Sequence, residues 1–510
     1  MPLDVFERGQ DLATWWAPSN PPAVTRPRFS AYPFTLGVAS GSPSSDGVVL
    51  WTRLAPDPLH GGGVDPVTIA VQWQVATDER FTSVVASGTI DALPGRAHAV
   101  HVEVTGLRAD RWYWYRFTAG DDVSPVGRTR TLPSARSAVA QWRFGLASCQ
   151  QYEQGYFTAH GHLRDEGLDL MVFVGDYIYE SSWGTNLVRK HEAGEPKTLD
   201  TYRNRHALYK TDKDLQANHA AVPWLVTWDD HEVENDYASD QSEELDPSFL
   251  TRRAAAYQAY FEHMPLRAAA RPKGAEALLY ARYDIGTLAR FHVLDGRQYR
   301  SHQVCPRAGR GGSNIVTSSC RELFDESRTM LGSTQETWLA TGLRETRTRW
   351  NLIAQQTLMA RADPKVGSGQ QYWTDAWDGY PPARQRLLQQ LADDSVTSCI
   401  VLGGDAHTNY VADLKLDFAN TRSRTVATEF CGTSITSQGR PQSQSDVIKR
   451  ENPHLKLVES DKRGYVVLDV TPAETTGRLR VVSDVKTPTS TVSTRATFTV
   501  TAGRPGARRA

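Results

Sequence analysis

Cysteine is scarce in this sequence, with five residues in 510. That excludes a disulfide-dense scaffold, so the fold must rest on a packed core, for which a chain this long has ample room. Long apolar runs are missing too: none approaches the ~20 residues that a membrane-spanning helix needs. Excess charge of either sign is absent, with 57 Lys and Arg against 58 Asp and Glu and a net charge of −1. The balance predicts no general attraction to nucleic acid or to an anionic membrane. An anionic substrate would have to be drawn by local positive charge, such as a bound metal. Internal repeats and extended low-complexity tracts are also absent. The opening MPLDVFERGQDLATWWAP has neither a basic leader nor an apolar core. It therefore reads as a cytoplasmic start or as the mature form of a secreted protein.

The few cysteines bear on that choice. Cys305 and Cys320 flank CPRAGRGGSNIVTSSC, a Gly/Ser-rich loop that could hardly hold its shape alone. A bridge there would contribute about 3 kcal/mol on the chain-entropy estimate. Cys399 begins one apolar run and Cys431 ends another, so a second bridge across neighbouring strands is expected, leaving Cys149 single. Two bridges favour an oxidising compartment, and hence secretion, over buried free thiols.

Patterning divides the chain. Within residues 31–135, VVLWTRL, TIAVQWQVA, AHAVHVEV and WYWYRFTA alternate apolar and polar residues between turns such as PSSDG. That predicts an immunoglobulin- or fibronectin-like β-sandwich following an N-terminal segment, 1–30. Pro133 and SARSA read as a linker. From 136 to 490 the runs WRFGLAS, LMVFVG, WLVTW, RFHVL, WNLIAQQ, CIVLGG and ATEFCG alternate with helix-like segments. Apolar strands without polar alternation are buried on both faces, which predicts an α/β domain. The last residues, 491–510, end in the basic GRPGARRA and read as a disordered tail.

Ligands of α/β sheets collect beyond the carboxyl ends of the strands. Here FGLAS ends in Cys149, and VFVG ends in Asp176 with Tyr179 three residues on. LVTW ends in Asp229-Asp230-His231-Glu232, with Asn235 close behind, and IVLGG ends in Asp405 with His407. A single strand followed by Gly-Asp is common and often structural. Four such ends together are better explained as clustered metal ligands. Thiolate, phenolate, carboxylate and imidazole around one ion suit an iron-like metal. An adjoining site of carboxylate and amide oxygens suits a hard cation such as calcium, magnesium or manganese.

The segments GDYIY, WDDHEVEND and GGDAHTNY resemble the metallophosphoesterase signature, in particular its alkaline phosphatase D (PhoD-like) branch. That branch includes the calcium- and iron-dependent phospholipase D enzymes of Streptomyces and relatives. FTLGVASGSPSSDGVVLWTRL is similar to the branch's leading β-rich domain, so the resemblance spans nearly the whole chain. It implies an αββα four-layer catalytic domain behind the β-sandwich. Asp176 would bridge two metals, with Cys149, Tyr179 and His407 on ferric iron. Asp230, Asp405 and Asn235 would face one or more hard divalent cations, Ca2+ before others. Cys149 stands where broader relatives carry aspartate, Asp230 where they carry asparagine, and Asp405 where they carry histidine. His231 would be catalytic, facing the phosphate to protonate or stabilise the leaving oxygen. Asp229, Glu232, Glu234 and Asp236 read as supporting or solvated residues.

The implied reaction is hydrolysis of a phosphodiester, in a phospholipid or lysophospholipid, by hydroxide generated at paired cations. Phosphomonoester hydrolysis by the same family is the near alternative, and a non-catalytic, metal-stabilised binding protein the remote one. The expected enzyme is a secreted monomer acting on a small or lipid phosphoester, with at most transient contact at a membrane surface. Two other signals carry less weight. HEVEN lacks the second histidine of a zincin helix, and HLKLVESD, at His454, matches the metal-free phospholipase D motif H-x-K-x-x-x-x-D only once, where two copies are needed.

Overall fold

The computed structural model describes residues 22–510, so of the predicted N-terminal segment, residues 1–21 lie outside the described residues. Two large sheets form the body. The larger has ten strands and the smaller seven. At the centre of the larger sheet, Trp142–Ala147, Leu170–Val174 and Trp224–Thr227 run parallel. In the smaller sheet Ala289–Val293, Trp350–Ala354, Ser398–Gly403 and Thr425–Cys431 do the same. These are the continuous apolar runs of the sequence, and each is buried on both faces, as parallel strands require.

Inner faces of the two sheets meet in one core, where Leu146, Val172 and Leu225 pack with Phe291, Leu352 and Phe430. The outer face of the larger sheet is covered by Leu199–Lys210, Lys213–Ala221 and Phe249–His263 through an aromatic-rich core. The outer face of the smaller sheet is covered by Gly332–Glu345, Pro381–Leu391 and Gln442–Glu451. The order helix, sheet, sheet, helix is the expected αββα arrangement.

The leading sandwich is present but is not a separate bead. One of its sheets is built on Ile69–Ala76, Val84–Ala92 and Trp112–Ala119. The facing sheet, Val38–Gly41, Val48–Arg53 and Ala99–Val104, is the end of the ten-stranded sheet itself. The junction is the parallel pairing of Gly41 with Trp224.

Two expectations are corrected. Residues 491–510 do not form a loose tail: Val492–Thr501 and Arg504–Arg509 are the last two strands of the ten-stranded sheet. Ala496, Phe498 and Val500 point inward at period two and are buried, a pattern overshadowed by the basic ending. The arginines of the final strand stay outside, where charge protects an edge from further pairing. The second correction concerns the cysteines. Cys305 and Cys320 are bridged, but Cys399 and Cys431 are buried free thiols, as is Cys149. Their strands are neighbours, yet Cys431 lies opposite Gly403, four positions along from Cys399. At about 3.3 Å per residue that offset exceeds any disulfide's reach.

Candidate metal centre and active-site cleft

The carboxyl ends of the parallel strands from both sheets open onto one cleft, and the predicted residues come together there. Cys149, Asp176 and His407 place one ligand atom each within 4.8 Å of one another, and so do Asp176, Asp230 and His231. Asp176 with Asp229 and Asp405 forms a third such group, and Asp230 with Asp236 and Asp375 a fourth. Asp176 belongs to three of the four, the position expected of a bridging carboxylate. The Tyr179 hydroxyl donates to Asp176 Oδ2 at 2.8 Å, lies 3.1 Å from His407 Nε2 and accepts from Ser437 Oγ at 2.8 Å. Asn235 lines the cleft, its side-chain nitrogen donating to Glu243 at 3.0 Å.

The backbone is bent to achieve this. Cys149, Asp176, Asp405 and His407 all have left-handed φ values, between 49° and 60°. Such a conformation costs a non-glycine residue on the order of 1–3 kcal/mol, so its surroundings must hold it. Gly175 lets the Asp176 and Asp229 loops touch: a Cβ there would meet the Asp229 Cβ at 2.4 Å. Glu232 then ties the loops together, accepting the backbone N–H of Tyr177 at 2.5 Å and of Asp229 at 2.8 Å.

Charge is unbalanced in the protein alone. Burial first, and then neighbouring carboxylates, push Asp176 and Asp405 well above the usual carboxylate range. Asp176 Oδ1 and Asp229 Oδ2 are buried with no hydrogen-bond partner. Oxygens left in this state are costly unless a cation meets them, and among the cleft's lining residues Arg440 is the sole guanidinium or ammonium. The donor set therefore fits bound metal: sulfur, phenol, imidazole and a shared carboxylate on one side, carboxylates alone on the other.

His231, although within reach of Asp176 and Asp230, has a carboxylate partner of its own. Its Nδ1 lies 2.7 Å from Glu180 Oε2, and its ring packs 4.1 Å from that of Tyr179. Burial disfavours the imidazolium, but Glu180, then Asp230 and Asp176, outweigh it and push His231 well above its ordinary range.

Glu180 escaped the sequence reading, although it directly follows GDYIY and a histidine beside a metal needs an orienting partner. Arg297 and Asp375 escaped it as well. Arg297 is fully buried, donates to Asp229 and holds Asp375 in a two-pronged pair at 2.7 Å through each nitrogen. Its signal was available, because RFHVL is one more strand that ends at the cleft, in Asp-Gly-Arg. Of the residues taken as supporting or solvated, Asp229, Glu232 and Glu234 are buried and Asp236 is half-buried. His454 donates to or accepts from nothing in the cleft: its Nε2 meets the Arg361 carbonyl at 2.7 Å.

The sequence profile of the PhoD-like phosphatase family matches residues 144–479, and that of its N-terminal domain matches 19–133. The chain belongs to the PhoD-like phosphatase family. Alkaline phosphatase D of Bacillus subtilis is 46% identical over 493 residues, covering 95% of this chain and 83% of that protein. A solved structure, titled as that of PhoD, superposes with a TM-score of 0.90 at 46% identity, over 95% of this chain and 93% of that one. This PhoD-like protein is accordingly a phosphoester hydrolase, which sets aside the binding-protein reading. None of its described helices is long and apolar enough to cross a membrane.

Proposed function

We propose that this PhoD-like hydrolase is a metal-dependent phosphodiesterase of phospholipase D type. The observation that carries the reading is the cleft. At about 930 Å3 it far exceeds a phosphate with one small substituent, and it pairs a carboxylate-rich wall with an apolar one. Cys149, Tyr179, His407 and Asp176 would hold an iron-type ion. Asp176 with Asp230, Asp405 and Asn235 would hold one or more hard cations, calcium first. Bound there, such cations neutralise the phosphoryl oxygens and lower the pKa of water.

The chain's own residues do the rest. Hydrolysis forms one P–O bond from water, whose proton leaves to solvent, and breaks the P–O bond to the leaving alcohol. Glu180 fixes His231 through Nδ1, which leaves Nε2 as the nitrogen free to meet that oxygen. A proton passes from Nε2 to the leaving oxygen, and Glu180 holds the ring in place throughout. Packing against the tilted Tyr179 ring keeps the imidazole beside the ligand cluster. The bridged Cys305–Cys320 loop supports secretion.

The deciding measurement compares bis-p-nitrophenyl phosphate with p-nitrophenyl phosphate, followed by a lysophospholipid panel. A kcat/KM at least about tenfold higher for the diester is expected. The reverse ratio would establish the second reading, alkaline phosphomonoesterase, which the 46% identity to alkaline phosphatase D favours. Purified protein should also carry a tyrosinate- or thiolate-to-iron absorption band; a colourless active enzyme would refute the iron assignment.

A further inference from the structure

The apolar wall of the cleft has a construction of its own. Ile315–Thr317 and Gln371–Trp373 form an isolated antiparallel pair with Ile315 directly opposite Trp373. Period-two alternation sends Val316 and Tyr372 inward, against Val304, Cys320 and Leu323. Ile315 and Trp373 are turned the other way, toward the cleft, and stand 49% and 45% exposed. Nothing in the packing of this small unit requires two large apolar side chains in water.

Its position is fixed from both ends. Just before Ile315, Ser313 donates to Asp236 through its hydroxyl at 2.5 Å, and Asn314 exchanges hydrogen bonds with Thr374 at 2.9 and 3.0 Å. Two residues after Trp373, Asp375 is held by Arg297 and Arg300 at 2.7 and 2.8 Å. Asp236 and Asp375 are members of the fourth ligand group, so Trp373 lies within about 7 Å of chain from it. The Cys305–Cys320 bridge closes the loop that carries the first strand.

A second segment continues the surface. Leu358, Ala360, Ala362 and Pro364, every other residue of one stretch, line the same cleft. The stretch is joined to the strand pair by Arg361, whose guanidinium lies 4.1 Å over the Tyr372 ring. The small side chains at 360 and 362 leave the groove open.

We infer that this groove, edged by Ile315 and Trp373, is a specificity site that takes an apolar alkyl or aryl substituent of the phosphoester while the ligand cluster takes the phosphate. The groove is continuous with the reaction centre, which commits it to the substrate itself rather than to a protein partner or a membrane. The inference holds for a monoester or a diester, so its test is independent of that choice.

The probe is a series of n-alkylphosphonates, from methyl to hexyl, used as competitive inhibitors of the metal-loaded enzyme with whichever p-nitrophenyl ester it turns over. In the natural protein Ki should fall about three- to fourfold for each methylene covered, about 10²- to 10³-fold across the series. Ile315→Ser/Trp373→Ser should flatten that slope and leave methylphosphonate inhibition within about twofold. Ala362→Phe, which fills the groove from the other side, should do the same. Unchanged methylphosphonate inhibition shows that the phosphate site is intact in both variants. A flat series in the natural protein, or an undiminished slope in both variants, overturns the inference. Binding to neutral phosphatidylcholine vesicles that is lost in the double variant, together with a flat series, would assign the surface to a membrane instead.

Discussion

Two buried clusters of ionisable groups lie on either side of the loop at Asp176 and Tyr177, and they manage charge in opposite ways. In front, the cleft gathers carboxylates, and two of their buried oxygens, Asp176 Oδ1 and Asp229 Oδ2, lack protein partners. Behind Tyr177, Arg53, His206, Lys210 and His263 gather bases. His206 stacks on His263 at 5.1 Å, Arg53 meets His263 Nε2 at 2.9 Å, and Lys210 Nζ lies 4.2 Å over the Trp51 ring. Burial holds His206 and His263 well below their ordinary range, with neighbouring cations adding to it, so they are neutral. Bases can discard their charge by losing a proton. A cluster of carboxylates can be relieved only by protonation or by a cation, and Asp176 is shared among three groups suited to the latter. An unpaired buried charge thus marks the place where something else binds, whereas a buried neutral imidazole marks only packing.

The contrast can be tested from its largest consequence downward. Chelation should abolish phosphoesterase activity and lower the midpoint of thermal unfolding, while near-ultraviolet signals from the aromatic cluster behind Tyr177 persist below that midpoint. Retained turnover in metal-free protein would break the comparison. His231→Ala should reduce kcat by about 10²- to 10⁴-fold with metal content unchanged. Glu180→Gln should cost about 10- to 100-fold. Metal loss from His231→Ala would make that residue a ligand rather than a proton donor.

Acid should act through the rear cluster and its neighbours. The folded values of His206 and His263 lie well below the ordinary 6.5, and burial brings His160 down to about 3. The unfolded chain therefore takes up protons below about pH 6.5 that the native protein refuses. The stability these histidines contribute is complete above that pH and falls as pH drops toward 3. Neither ring nitrogen of His206 has a hydrogen-bond partner, so His206→Phe should lessen the acid loss in equilibrium unfolding and cost little at pH 8. The smallest effect belongs to Lys210, which burial pushes down to about 7. Between pH 7 and the ordinary value of 10.5 the unfolded state holds the extra proton, so stability rises with pH. Lys210→Met should remove that dependence and stabilise the protein by on the order of 1 kcal/mol near pH 7.

Much of the front cluster was legible in the sequence because most candidate ligands follow an unbroken apolar run, and parallel sheets deliver such positions to one edge. Cys149, Asp176, Tyr179, Asp405 and His407 all obeyed that rule. Asp375 did not, since it lies in a loop held by Arg297 and Arg300, and no local pattern reveals which distant guanidinium will secure a carboxylate. The rear histidines were equally hidden, being scattered along amphipathic helices where a neutral buried imidazole looks like any polar residue. Cys399 and Cys431 failed as a pair because adjacency of strands says nothing of register. The last two strands were missed because the basic ending outweighed the alternation of Ala496, Phe498 and Val500.

The pairing of Gly41 with Trp224 has a bearing on how this chain can be cut or recombined. A protein whose leading sandwich stood alone could exchange it for another module or shed it to proteolysis. Here, removing that half would unpair the start of Trp224–Thr227, where Ser42 N–H donates to the Trp224 carbonyl, and expose the apolar side chains packed against Val38–Gly41 and Val48–Arg53. The strand that delivers Asp229 and Asp230 would become an unprotected template for aggregation. The two halves form one inheritable unit, and the ligand loops are only as secure as the sandwich beside them.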